Sequence, residues 1–216
     1  MPALFPRWSN SALWGALILG VAGLAVLLLA PMIWVRTPYD THRLHPLDQP
    51  VLFDHRHHVL DDGIDCLYCH YTAAVSRTAS VPPTELCMNC HGQIWPDSPL
   101  LEPLRRSWFT GRPIPWRRVH RLPDFVYFSH APHVNAGVGC SSCHGQVETM
   151  ALVFAESPMQ MGWCLDCHRN PVPHLRPLDR ITDVNWRPPP DQAVQGLLLQ
   201  RELRVAPPTN CTGCHR

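Results

Sequence analysis

The chain has 216 residues, with 18 basic and 17 acidic side chains and a formal net charge of +1 at pH 7. That length holds one modest domain beyond any targeting or anchoring segment, and the near balance of charge goes with an expectation of no nucleic-acid partner. Every basic residue is an arginine, which excludes any chemistry that requires a lysine side chain. Twenty-four prolines, with few periodic apolar patterns after the N-terminal region, predict short helices joined by long irregular loops.

Residues 12–35 form an apolar stretch with no charged side chain, long enough to cross a bilayer as a helix, for which about 20 residues suffice. A signal-peptide core is shorter, roughly 7–15 residues, and ends in a small-residue cleavage site. Here Pro31, Met32, Ile33, Trp34 and Val35 keep the segment apolar where cleavage would fall, and Trp8, Trp14 and Trp34 lie near its two ends. The expectation is a cytoplasmic N-terminus (1–11), an uncleaved single-pass anchor (12–35), a linker (36–50) and an extracytoplasmic domain (51–216).

All ten cysteines fall in five copies of Cys-x-x-Cys-His: Cys66, Cys69 and His70; Cys87, Cys90 and His91; Cys140, Cys143 and His144; Cys164, Cys167 and His168; Cys211, Cys214 and His215. This is the attachment signature of c-type haem: two thiols add across the vinyl groups and the following histidine ligates the iron. Zinc sites pair two Cys-x-x-Cys knuckles per metal, which would strand the fifth, and ask for no histidine after each. Five covalently bound haem c groups are therefore expected, with short α-helices and irregular loops packed around them in a multihaem cytochrome c fold. Haem attachment takes place outside the cytoplasmic membrane, which orients the anchor. The rigid arginine forks suit haem propionates, and without lysine there is no Cys-x-x-Cys-Lys site of the kind some catalytic reductases use.

The chain also contains a duplication. Phe53, His55, His58 and Val59 align with Phe128, His130, His133 and Val134 at an offset of 75, the following Gly63 and first motif with Gly137 and the third motif at 74, and the second motif with the fourth at 77. Each half is a two-haem unit (51–110 and 111–175) introduced by Phe-x-His-x-x-His, and 176–216 adds a fifth haem. Histidines three apart share one face of a helical turn yet diverge, so they can reach two irons. This nominates His55, His58, His130 and His133 as distal ligands. His57 aligns with Pro132 and stands outside the pattern. His120, which has no repeat partner, is the further candidate, with Met161 as its competitor; thioether ligation would raise the potential of the haem it served. His42 and His45, in the linker, are expected to meet solvent or lipid headgroups, and His174, in a proline-rich stretch after the fourth motif, is a weak ligand candidate.

Taken in order, the N-terminal anchor and the segments 53–70, 82–105, 111–145, 160–171 and 211–215 resemble the pentahaem cytochrome subunit of alternative complex III, a quinol-oxidising respiratory complex. The haem units also look like the small cytochromes of the c3/c7 type. That second resemblance implies that His55 serves the haem at Cys66 and His130 the haem at Cys140, with His58 and His133 reaching neighbours. The first implies partners: an iron–sulfur subunit related to molybdopterin enzymes, polytopic quinol-binding subunits and a monohaem cytochrome c. It implies an electron-transfer subunit at the extracytoplasmic (periplasmic) face that is not itself an enzyme and binds no small-molecule substrate directly. Two alternatives stand beside it. One is a stand-alone membrane-anchored multihaem quinol dehydrogenase; the other is a catalytic multihaem reductase, which would need an open, five-coordinate haem.

Overall fold

A computed structural model describes residues 5–215; the first four residues of the expected cytoplasmic segment, and Arg216, lie outside the described residues. The backbone divides into two units, Met1–Arg43 and Leu44–Arg216.

In the first unit, helix α1 (Ser9–Trp34) is apolar on every side and buries none of its residues. A helix with no polar face is stable only in an apolar surrounding. Its 26 residues rise about 39 Å at roughly 1.5 Å each, more than the ~30 Å of a bilayer's hydrocarbon. It is long and apolar enough to cross a membrane, and its place near the N-terminus also suits a signal sequence. The helix closes where the Thr37 hydroxyl donates to the Trp34 carbonyl (2.8 Å) and the Arg36 guanidinium donates to that of Met32. A turn, α2 (Pro38–Thr41), follows, with Tyr39 edge-on to Trp34.

The second unit is helical turns and loops, with no strand among the described residues beyond the isolated bridges Val126–His215 and Val138–Leu175. Every Cys-x-x-Cys-His lies on or beside a helical turn, because a turn sets both sulfurs on one side with the histidine following beneath. The motifs occupy α3 (Cys66–Cys69), α4 (Thr84–His91), α7 (Ser141–His144), α8 (Met161–Arg169) and α10 (Cys211–Cys214), while α5 (Glu102–Thr110), α6 (His130–Asn135) and α9 (Gln192–Glu202) bear none. Asp65 caps α3 by accepting from the Leu67 amide at 2.7 Å, satisfying one of the free N–H groups of the first turn.

Among the described hydrophobic residues only Val51, Ala73, Leu104, Val134, Met150, Leu175 and Ile181 are buried. A unit of this size that depended on its own side chains would bury far more. The apolar centre must come from elsewhere, as expected of a domain packed around haem.

The repeat survives in three dimensions, with one difference. The change of offset from 75 to 74 leaves the first copy one residue longer between its phenylalanine and its glycine. The second copy forms the regular α6, whereas the first forms a π-helical turn, Arg56–Asp61. A π turn holds one extra residue and so absorbs the insertion. The same closing bond then forms in both: Ile64 N–H to the His58 carbonyl (2.8 Å), and Val138 N–H to that of His133 (3.1 Å). Gly63 (φ 68°) and Gly137 (φ 83°) turn the chain out of the two histidine segments in left-handed conformations that side chains disfavour.

The expected linker 36–50 is divided. Leu44 and Leu47 donate backbone bonds to Ala155 and Val153, and the Gln49 side chain pairs reciprocally with the Arg117 backbone. From Leu44 onward it is part of the second unit.

Candidate haem-binding sites

All ten cysteines are free, with no disulfide between them. The histidines show the more informative geometry. A metal–imidazole bond is roughly 2 Å and the ring centre lies ~1 Å beyond the nitrogen, so two imidazoles sharing one iron have centres about 6 Å apart. Three pairs have this separation: His58 and His91 at 6.1 Å, His130 and His144 at 6.2 Å with rings 5° from parallel, and His133 and His168 at 5.9 Å. His55 is near enough to His70 for that ring to add to the burial that lowers its pKa.

Six rings have a backbone carbonyl at Nδ1, which fixes their tautomer. The Nδ1 of His58 lies 3.0 Å from the Asp54 carbonyl, that of His133 2.7 Å from Ser129, His70 2.8 Å from Ser80, His91 3.2 Å from Ile94, His168 2.7 Å from Pro208 and His215 3.2 Å from Phe125. His130 has its Nδ1 between the Arg77 carbonyl (3.1 Å) and the Ala79 amide. An Nδ1–H given to a carbonyl leaves the Nε2 lone pair for a metal and makes the ring a better donor. Burial pushes His55 down to about 4 and His144 to about 3, and lowers His133 and His120. Neutral imidazoles are the ligating form. The buried Nδ1 of His55 has no partner within the protein.

One phenylalanine per repeat aligns both histidines. Phe53 meets His55 edge-on (4.8 Å, 84°) and stacks on His58 (4.3 Å, 25°); Phe128 meets His130 edge-on (4.8 Å, 83°) and lies tilted against His133 (4.7 Å, 34°). The free cysteine pairs, the spacing of the histidine rings and the carbonyl-anchored tautomers all fit c-type haem.

His120 and Met161 lie apart from these pairs. The Nε2 of His120 is 3.3 Å from the Nδ1 of His144, with the rings perpendicular. The nitrogen that would reach an iron instead faces the back of a proximal histidine. This departs from the distal-ligand expectation, because the segment carrying His120 passes behind the third motif. Met161 opens α8 with two-thirds of its surface exposed. His57 pairs with Asp61 at 2.8 Å and is exposed. Two contributions went unread in the sequence: the paired role of Phe53 and Phe128, and the carbonyls four residues before His58 and His133. The repeated phenylalanine was the available signal for the first. Backbone acceptors leave no signal of their own.

A helical and loop domain without strands among its described residues, carrying such motifs and histidine pairs, is a multihaem cytochrome c domain of electron transport. Residues 126–216 match the family described as "Cytochrome c7 and related cytochrome c". The chain is also similar to "Menaquinone reductase, multiheme cytochrome c subunit" of Nitratidesulfovibrio vulgaris, with 28% identity over 144 residues, covering 57% of this chain and 69% of that protein.

Proposed function

We propose that this protein is a membrane-anchored pentahaem c-type cytochrome that relays electrons from quinol oxidation to an extracytoplasmic acceptor, as a subunit of a complex like alternative complex III. It has no substrate turnover of its own. The carrying observation is the set of imidazole pairs at about 6 Å, which supports closed, bis-histidine sites. A filled sixth position leaves no place for a small-molecule substrate and keeps rearrangement on reduction small. The haem supplies one-electron redox chemistry. The chain's part is to attach it through the five cysteine pairs and to ligate it through His70, His91, His144, His168 and His215. His55, His58, His130 and His133 close the first four sites in the order His70, His91, His144 and His168. His120 is then a positioning residue behind His144. Met161, one turn before Cys164, is the remaining candidate for the fifth site, since the Cys164 thiol lies near that of Cys214. Helix α1 serves as an uncleaved anchor, with the haem domain on the periplasmic side. The partners are an iron–sulfur subunit, polytopic quinol-binding subunits and a monohaem cytochrome.

The name of the Nitratidesulfovibrio relative supports a second reading, in which the same conduit carries electrons toward menaquinone. Purification from native membranes tests both. Co-purification with polytopic subunits and reduction of the haem absorbance by added quinol supports the first reading. Oxidation of the reduced protein by menaquinone, without reduction by quinol, supports the second. A protein that purifies alone and is silent toward both contradicts the assignment to a quinone-linked complex.

A further inference from the structure

The geometry points to a single-file order of the five attachment motifs that differs from their order in the chain: second, first, third, fourth, fifth. Each of the four junctions has its own contact. The second and first motifs meet at a cleft lined by Ile64, Asp65, Tyr68 and Cys90, and His58, which faces His91 at 6.1 Å, closes its backbone turn on Ile64, two residues before Cys66. The first and third meet across a strap at Ile181 and Thr182. The Cys140 amide donates to the Ile181 carbonyl (3.0 Å), Thr182 donates to Asp65 (2.5 Å), and the Cys66 thiol lies 3.9 Å from the Thr182 carbonyl. The third and fourth motifs share α6, whose His130 and His133 face His144 and His168. The fourth and fifth are tied where the His168 Nδ1–H donates to the Pro208 carbonyl (2.7 Å), three residues before Cys211.

The two duplicated units are thus joined head to head through their first members, and the second and fifth motifs are the termini. The exposure of the cysteines agrees. Cys90 and Cys211, one in each terminal motif, are the exposed pair, whereas the other eight are half-buried. Redox partners therefore exchange electrons with the second and fifth motifs, and the first and third are relays that no partner reaches directly.

This rests on reading the five motifs as haem sites, and one experiment separates the two claims. Electron cryomicroscopy of the haem-loaded protein in its native membrane complex locates each iron and assigns it to its motif. The expected result is one series, with the iron at Cys87 next only to that at Cys66, and the iron at Cys211 next only to that at Cys164. Five irons in which the second motif adjoins the third, fourth or fifth, or in which the first and third are not neighbours, overturn the order alone. Fewer than five irons overturn the haem reading itself.

Discussion

Replacing His120 with alanine separates two roles that the sequence could not distinguish. The structure sets the His120 Nε2 3.3 Å from the Nδ1 of His144, so the wild-type bond makes the proximal imidazole of the third motif more electron-rich and favours the oxidised iron. A neutral hydrogen bond contributes about 1 kcal/mol net. If most of that differs between oxidation states, the one-electron equivalence of 59 mV per tenfold gives an upward shift of roughly 40 mV. Spectroelectrochemical titration of the purified holoprotein should show one component rising by a few tens of millivolts while the others hold. His120→Asn, whose amide oxygen can accept the same bond, should recover part of the shift. All irons should stay low-spin, with no carbon monoxide adduct. A full-stoichiometry high-spin iron or carbon monoxide complex in His120→Ala would make His120 an axial ligand, and unchanged potentials would remove it from both roles.

Other outcomes follow from the same geometry. Met161→Ala should convert one iron, at the fifth motif, to a form that binds carbon monoxide, visible in the reduced spectrum; an unchanged spectrum rules Met161 out as its ligand. Phe128→Ala removes the ring that aligns both His130 and His133, so electron paramagnetic resonance should show two low-spin signals altered together, not one. Gly137→Ala should destabilise the holoprotein more than Gly63→Ala in thermal melts. Both incur the left-handed penalty of about 1–2 kcal/mol, but only at Gly137 would the new Cβ meet a backbone atom, the Arg176 carbonyl, at 2.6 Å. Leu175, 1% exposed, is the most buried side chain described, and Leu175→Ala should lower denaturant stability by about 2–5 kcal/mol. A loss under 1 kcal/mol would show that the protein core around Leu175 carries little of the fold.

Much of this site was legible because its chemistry is local. Cys-x-x-Cys-His is a contiguous turn, and Phe-x-His-x-x-His repeats with its register intact. The one-residue change of offset was visible as a number, but its meaning, a π turn at 56–61, emerges only when the backbone must close the same bond to His58 that it closes to His133. The long-range features were not legible. Nothing in the local pattern of the segment around His120 says that it runs behind His144, because that follows from where loops 111–129 cross the second unit. The strap at Ile181 and Thr182 joins motifs 74 residues apart in the chain and is equally silent in the sequence. The docking of the linker from Leu44 onward is silent for a related reason: its partners, Val153 and Ala155, are backbone atoms about 110 residues away.

The central claim is that paired histidines close these haem sites for electron transfer. A low-temperature electron paramagnetic resonance spectrum of the oxidised protein, quantified against its haem content, tests it most directly. The account predicts five low-spin irons, at least four with bis-histidine character. A stoichiometric high-spin signal, or fewer than four bis-histidine centres, would contradict it.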